Sequence, residues 1–374
     1  MTIPIEQYCV RNAGELSTPA LLIYAEKIDA NIDAALRMMN GDANRWRPHL
    51  KTAKLGYTMR CLVAKGVRNA KCATTLELLA ALDAGMEDVV LAFPVMGANA
   101  ARVKEIAAAH PDRRISVLVE SPEQLAEWLG TPIGIFVDLN SGMDRTGMAE
   151  GHFDEVLAFV SKVGAQFRGL HHYDGQIHNA DSCAAATATA GYEQLLRLVA
   201  FLESNGIGVE EVVTSGTPAM PHGLAFPGFS HAGFAHRVSP GTVVYNDRAS
   251  LKELPDCGFV PAALVLSTVV SHPLPRRITC DAGHKSVSAD AGVPTCEALG
   301  HANLQFLKPS EEHLPADVIE GVVPARGEML YLLPAHVCPT VNNFDRAVIV
   351  RNGEVESIEP VSARGREVFV KTSV

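Results

Sequence analysis

Residues Asp88–Val119 read DVVLAFPVMGANAARVKEIAAAHPDRRISVLV. An apolar, β-branched run, Asp88–Phe93, gives way to a helical run over 98–109 and then to a second apolar strand, Ile115–Val119. Strand, helix and strand in this order form the unit of a parallel sheet. The same alternation extends outward, with candidate strands at Leu21–Tyr24, Ala70–Ala73, Ile133–Leu139, Phe167–His172 and Glu211–Thr214. Helical runs lie near 55–65, 75–84, 122–129, 153–163 and 190–204. The helix after Leu21–Tyr24 puts Ile28, Ile32, Leu36 and Met39 on one face. The helix over 190–204 carries a Tyr192, Leu195, Leu196, Val199, Leu202 stripe and stops at Asn205-Gly206. About eight such repeats predict a closed parallel (β/α)8 barrel of the TIM type, an α/β fold. An open doubly wound sheet would show the same alternation and is the alternative.

After Tyr245 helical periodicity fades. Val260–Val270, Arg277–Asp281, Glu328–Leu333 and Ala347–Val350 read as strands between Pro- and Gly-bearing turns. The expected division is a barrel over 20–250 and a β-rich C-terminal domain over 251–374, joined by 1–19.

With 374 residues, 47% of them hydrophobic, the chain has material for a large core. Its net charge of −10 argues against nucleic acid as a partner, since phosphate backbones need basic patches. No apolar run reaches the ~18 residues of a membrane helix, and the N-terminus has no signal-peptide pattern. The eight cysteines are scattered without a CxxC pair, as suits a reducing compartment. A cytoplasmic enzyme, with neither membrane nor nucleic-acid partner, is expected.

Five segments carry candidate chemistry. Arg47-Pro48-His49-Leu50-Lys51-Thr52-Ala53-Lys54 falls just after an apparent barrel strand, where barrel enzymes keep their active sites. A lysine shielded there could react with an aldehyde as the free amine; the plainer alternative is a pair of solvated helix-start lysines. Asp138–Gly147 closes a strand and offers Arg145, whose guanidinium can pair with a carboxylate. Tyr173-Asp174-Gly175-Gln176-Ile177-His178 follows another strand, and His178 titrates in the range a base requires. The adjacent His171 and His172 should point one inward and one outward, as buried structural histidines. Thr214–Pro218 and Ser239–Tyr245 are glycine-bearing turns whose hydroxyls and N–H groups can cradle a phosphate. In His336-Val337-Cys338-Pro339-Thr340-Val341-Asn342, an extended strand would aim His336 and Cys338 to one face, as two ligands of one metal. Imidazole with thiolate favours Zn²⁺, with Mn²⁺ or Mg²⁺ as alternatives.

Together these segments resemble the D-threonine aldolase and eukaryotic-type D-serine dehydratase family. Its members are fold-type III pyridoxal-phosphate enzymes related to alanine racemase. The octapeptide is similar to the family's Arg-Pro-His-x-Lys-Thr-His-Lys signature and departs from it at Ala53. The resemblance implies that Lys51 holds pyridoxal 5'-phosphate covalently and is catalytic, with His178 beside the substrate hydroxyl. Arg145 and Tyr173 would line the cofactor. Ser215, Gly216, Thr217, Gly241 and Thr242 would bind its phosphate, with Tyr245 as a neighbouring contact. His336 and Cys338 would hold the divalent metal. Aldolase-type members tend to carry His-x-Asp at that place and dehydratase-type members His-x-Cys.

The implied function is that of a pyridoxal-phosphate- and metal-dependent lyase acting on a small β-hydroxy D-amino acid. The reaction would be dehydration, of the D-serine or D-3-hydroxyaspartate type, or retro-aldol cleavage of the D-threonine type. A racemase or epimerase and a non-catalytic cofactor-binding protein are the alternatives. Family members commonly pair head to tail, so a homodimer is expected.

Overall fold

The computed structural model describes residues 3–179, 181–230 and 232–371. Contacts divide them into two compact units. One comprises Ala35–Lys51, Leu62–Gly241 and the chain from Arg366; the other comprises the chain up to Ala34, Thr52–Cys61 and Thr242–Gly365.

In chain order, β1 (Ala20–Tyr24), α1 (Ala25–Met38) and α2 (Gly56–Ala64) come first. The first unit then supplies β2 (Asn69–Cys72), β3 (Asp88–Leu91), β4 (Arg114–Val119), β5 (Gly134–Asn140), β7 (Phe167–His172), β8 (Glu211–Thr214) and β9 (Ala235–Val238). All seven pair in parallel in that order, and the two-residue β6 (Met148–Ala149) hangs on β5.

The stretch 46–50 closes the ring. Trp46 pairs in parallel with Val238 of β9 and His49 with Lys71 of β2. The Arg47 N–H donates to Val238 O at 2.9 Å and the Leu50 N–H to Lys71 O at 2.7 Å. The sheet is therefore a curled one of seven parallel strands rather than a flat open one, and an irregular stretch held by isolated bridges stands where the expected eighth strand would be. Barrel strands are covered on both faces, which is why β3 and β8 are buried throughout.

Helices α3 (Thr75–Asp83), α4 (Gly97–Ala109), α5 (Pro122–Trp128), α6 (Phe153–Val163), α7 (Ala184–Ser204) and α8 (Met220–Ala225) alternate with the strands. Capping boxes start two of them. Thr74 Oγ1 accepts from the Glu77 N–H while Glu77 Oε2 accepts from the Ala73 N–H. Ser121 and Gln124 repeat the exchange ahead of α5. Each cap contributes about 1 kcal/mol and fixes where a strand ends and its loop leaves. At the barrel's other end, fully buried Arg47 donates to Glu211 at 2.6 and 2.8 Å and to Asp88 at 3.1 Å. That ion cluster ties the closing stretch to the first residues of β3 and β8.

The second unit adds β10 (Ala263–Leu274), β11 (Arg277–Cys280), β12 (Cys296–Ala298), β13 (Leu304–Phe306), β14 (Leu314–Val318), β15 (Met329–Pro334), β16 (Arg346–Arg351) and β17 (Glu354–Pro360). With β1 they form a nine-stranded sheet along β13-β14-β11-β10-β1-β16-β17, and β15 joins β10 to β12. Here Leu21–Tyr24 departs from its expected place in the barrel alternation. It runs antiparallel to β10 and parallel to β16, packing Leu22 and Tyr24 with Leu264, Leu266 and Val350. An apolar strand fits either sheet, whereas the closing stretch contains Arg47, Pro48 and His49 and does not read as a strand.

Helices α9 (Arg248–Glu253) and α10 (Val337–Asn342) complete the unit. The segment expected as an extended strand at His336–Asn342 is instead the N-cap and body of α10. Asp247 accepts from the Val337 N–H at 2.9 Å, and Pro339 lies in the first turn, where its missing N–H costs little. Among the described residues no helix is long and apolar enough to cross a membrane.

Candidate active site

The barrel's C-terminal ends bring most of the expected residues to one mouth. Lys51 follows the closing stretch in a turn and is exposed, rather than shielded by packing as its reactivity led us to expect. Neither Lys51 Nζ nor the Arg145 guanidinium has an ion-pair partner among the described residues. Burial and the neighbouring Lys51 and Lys71 charges hold His49 well below the usual imidazole range, so its ring is neutral.

Arg145 is presented by a loop that requires glycine. Asn140 Oδ1 accepts from the N–H groups of Gly142 and Asp144. Gly147 turns at φ +106, where a Cβ would lie 2.4 Å from the Asn140 nitrogen. The Arg145 guanidinium stands 5.0 Å from the centre of the Tyr173 ring, and Lys71 Nζ stands 5.2 Å from the same ring. The Tyr173 ring thus stands between two cations at the mouth. His178 lies on the following loop and is exposed.

Sequence reasoning missed Lys71. It occupies the third place of β2, in Asn69-Ala70-Lys71-Cys72, and is buried. Its Nζ lies 3.1 Å from His171 Nε2 and 2.7 Å from Ser239 Oγ. Burial, reinforced by Lys51, lowers its pKa to about 7. Only the structure's burial of this four-residue strand marks the lysine out; the sequence shows a lone lysine in a short strand. His171 Nδ1 sits 2.6 Å from Asp138 Oδ1; since a carboxylate only accepts, the ring donates there and its Nε2 accepts from Lys71. His172 points the other way, 3.3 Å from Glu150, so the expected inward–outward split of the two histidines holds.

The phosphate loops are brought together in part. The N–H groups of Thr217 and Gly241 donate to no protein acceptor among the described residues. Gly241 passes so close to the closing stretch that a Cβ would meet His49 O at 2.2 Å. The Gly216 N–H is taken by Asp174 at 3.2 Å, and the other Asp174 oxygen accepts from Tyr192 at 2.6 Å.

Two expected contacts are turned away. Ser215 has φ +64, which sends its hydroxyl into a buried network with Tyr192 and Thr214 at 3.1 and 3.0 Å. In the second unit, Tyr245 is buried, with its hydroxyl 2.7 Å from that of Thr58 and donating to Ala53 O at 2.9 Å. With both its bonds made inside the protein, the hydroxyl is committed to packing. The unpaired cations, free N–H donors, aromatic wall and glycine clearance that remain fit an anionic, phosphorylated ring aldehyde.

The second unit contains His336 and Cys338, the two residues expected to ligate a metal. His336 caps α10 and Cys338 lies in its first turn, so a helix rather than strand alternation brings their side chains into hydrogen-bonding contact. Cys338 Sγ is 3.0 Å from Thr52 Oγ1 and 3.7 Å from Thr242 Oγ1. His336 Nδ1 lies 2.6 Å from Asp290, which leaves Nε2 as the nitrogen suited to a metal. Among the described residues no group of three or more His, Cys, Asp or Glu side chains could hold one. The pair suits a partial site that leaves positions open.

Two family models match: an alanine racemase N-terminal domain over residues 23–249 and a putative serine dehydratase domain over residues 262–350. A D-threonine aldolase of Arthrobacter sp is 30% identical over 375 residues, covering 94% of each chain. A 3-hydroxy-D-aspartate aldolase of Paracoccus denitrificans (strain Pd 1222) is 27% identical, covering 94% of this chain and 93% of that one. The crystal structure of D-threonine aldolase from Filomicrobium marinum has a TM-score of 0.84 at 24% identity, over 94% of this chain and 97% of that one. With a family model matching most of the barrel and a relative 30% identical over 94% of the chain, the chain belongs to the D-threonine aldolase and D-serine dehydratase family of alanine racemase-like proteins.

Proposed function

We propose that the chain is a pyridoxal-phosphate- and metal-dependent lyase acting on a β-hydroxy D-amino acid. The observation that carries this reading is the barrel mouth, where, among the described residues, Lys51 and Arg145 have no ion-pair partner and the Thr217 and Gly241 N–H groups no protein acceptor. When bound, the cofactor supplies a conjugated ring that accepts electrons from the substrate's α-carbon. Lys51 Nζ would hold the cofactor, and in the dehydration reading the same amine would take the substrate's α-proton. Arg145 would balance the charge of the ring or the substrate carboxylate, and Tyr173 would supply an aromatic contact. Gly216, Thr217, Gly241 and Thr242 clear and cradle the phosphate. His178 accepts the hydroxyl proton when the Cα–Cβ bond breaks.

A divalent cation, zinc on the imidazole–thiolate chemistry, supplies Lewis acidity at the β-hydroxyl. His336 and Cys338 would hold it, with Asp290 orienting the imidazole. Aldol cleavage is supported by the two named relatives. Dehydration is the second reading, favoured by the His-x-Cys donors and the matched serine dehydratase domain. The eight free cysteines suit a cytoplasmic enzyme, and the family resemblance supports a homodimer, which light scattering would test.

The deciding experiment supplies the purified protein with cofactor and D-threonine, D-serine or D-3-hydroxyaspartate. Glycine with an aldehyde marks the aldolase; a keto acid with ammonia marks the dehydratase. Exchange of the α-proton with no cleavage product would replace the lyase reading with a racemase.

A further inference from the structure

Lys71 is a buried amine facing no carboxylate at ion-pair distance among the described residues. Such a charge is expensive to bury unless something compensates it. Its hydrogen bonds show where compensation would come from. The neutral His171 accepts one N–H, because its other nitrogen donates to Asp138. Ser239 Oγ accepts a second, while the Ser239 hydroxyl donates to Thr214 O or Ser215 O at 3.1 or 3.0 Å. Ser239 thereby joins the ends of β8 and β9, the two strands whose loops carry Thr217 and Gly241. Lys71 is braced against that joint.

We propose that Lys71 is the counter-cation of the cofactor's phosphate, holding a proton when the phosphate is bound and releasing it when the pocket is empty. This deepens the cofactor assignment above and rests on it. With two N–H groups committed, only the amine's third valence can change between lone pair and N–H. The groups that face it are Lys51 and His49 from the closing stretch, Arg145 and Asp138 from β5 and its loop, His171 on β7, and Tyr173 and Asp174 beyond it. Burial is the main force that presses the proton off in the empty pocket; Lys51 and Arg145 add to it, and Asp138 and Asp174, already engaged by His171, Tyr192 and Gly216, oppose it. A phosphate dianion on the neighbouring N–H groups reverses that field, and the amine takes one proton from solvent.

The test titrates full-length apoprotein with pyridoxal 5'-phosphate and with unphosphorylated pyridoxal, from about pH 7 to 9, above the second phosphate pKa of about 6. In the wild type, the affinity advantage of the phosphate ester should fall with rising pH, by up to about tenfold per unit. In Lys71→Met and Lys71→Gln it should be at least about tenfold smaller and pH-independent, with pyridoxal affinity little changed. An advantage that stays flat with pH in the wild type overturns the proposal without recourse to any variant. So does equal weakening of both compounds, which would put Lys71 against the ring. Borohydride reduction and mass mapping of Lys51 separate the two levels of inference. A wild type that takes up no cofactor at Lys51 defeats both; uptake with no phosphate-specific effect of Lys71 defeats only this one.

Discussion

The two ends of the barrel interior treat buried charge in opposite ways. At one end Arg47 is enclosed by Glu211 and Asp88, raising its pKa further, and every charge has a partner. At the other, Lys71, Lys51 and Arg145 converge on a space whose carboxylates, Asp138 and Asp174, are engaged by protein donors. The balanced end serves closure of the ring. The unbalanced end has the electrostatics of a site for an anion, and stability is reduced there in exchange for binding.

The largest test of this contrast is Lys51→Ala. It should abolish covalent cofactor attachment and lower turnover by about 10⁴-fold or more, read by absorbance of the reduced adduct and by product assay. Substitutions at the two buried cations should then act in opposite directions. Arg47→Met leaves two carboxylates unpaired and should cost about 3–5 kcal/mol in urea denaturation. Lys71→Met removes an uncompensated amine and should leave the apoprotein as stable or more so.

A pH series sharpens the same point. The folded Lys71 amine titrates near 7, below its unfolded value, so between the two the unfolded chain binds the extra proton. Apoprotein stability should therefore rise with pH above 7, with a contribution of up to about 1.4 kcal/mol per unit that Lys71→Met abolishes. The smallest effect is expected from Ser215→Ala. It should cost about 1 kcal/mol of stability and leave cofactor affinity unchanged, since that hydroxyl faces Tyr192. A large loss of affinity would put Ser215 back among the phosphate ligands.

Much of the barrel was legible because parallel strands covered on both faces leave unbroken apolar runs, as Val89–Leu91 and Val117–Val119 do. The closing strand was not, because its inward groups are an arginine and a histidine whose partners lie far along the chain. Nor was β9, whose Ala235-His236-Arg237-Val238 is short and half polar. Lys51, Arg145 and Tyr173 were singled out by the resemblance of their segments to the family's motifs, since spacing alone left Lys51 as readily a solvated helix-start lysine. Lys71 was not, since a lone lysine in a short strand gives no clue to which way it points. Ser215 and Tyr245 had the right chemistry for phosphate, but a left-handed turn and a pair of internal bonds decide their orientation. His336 and Cys338 were expected on one face of a strand; they instead begin α10, with His336 as its extended N-cap, and their side chains meet there.

The place of β1 bears on how the chain is made. Leu22 lies between Leu264 and Val348, residues that leave the ribosome long after the barrel strands are complete. During synthesis Ala20–Tyr24 must wait as an unpaired apolar edge, open to capture by chaperones or by neighbouring nascent chains. A truncation ending near residue 250 would strand that segment for good, and removing it as well should do more for the solubility of an isolated barrel than any surface substitution.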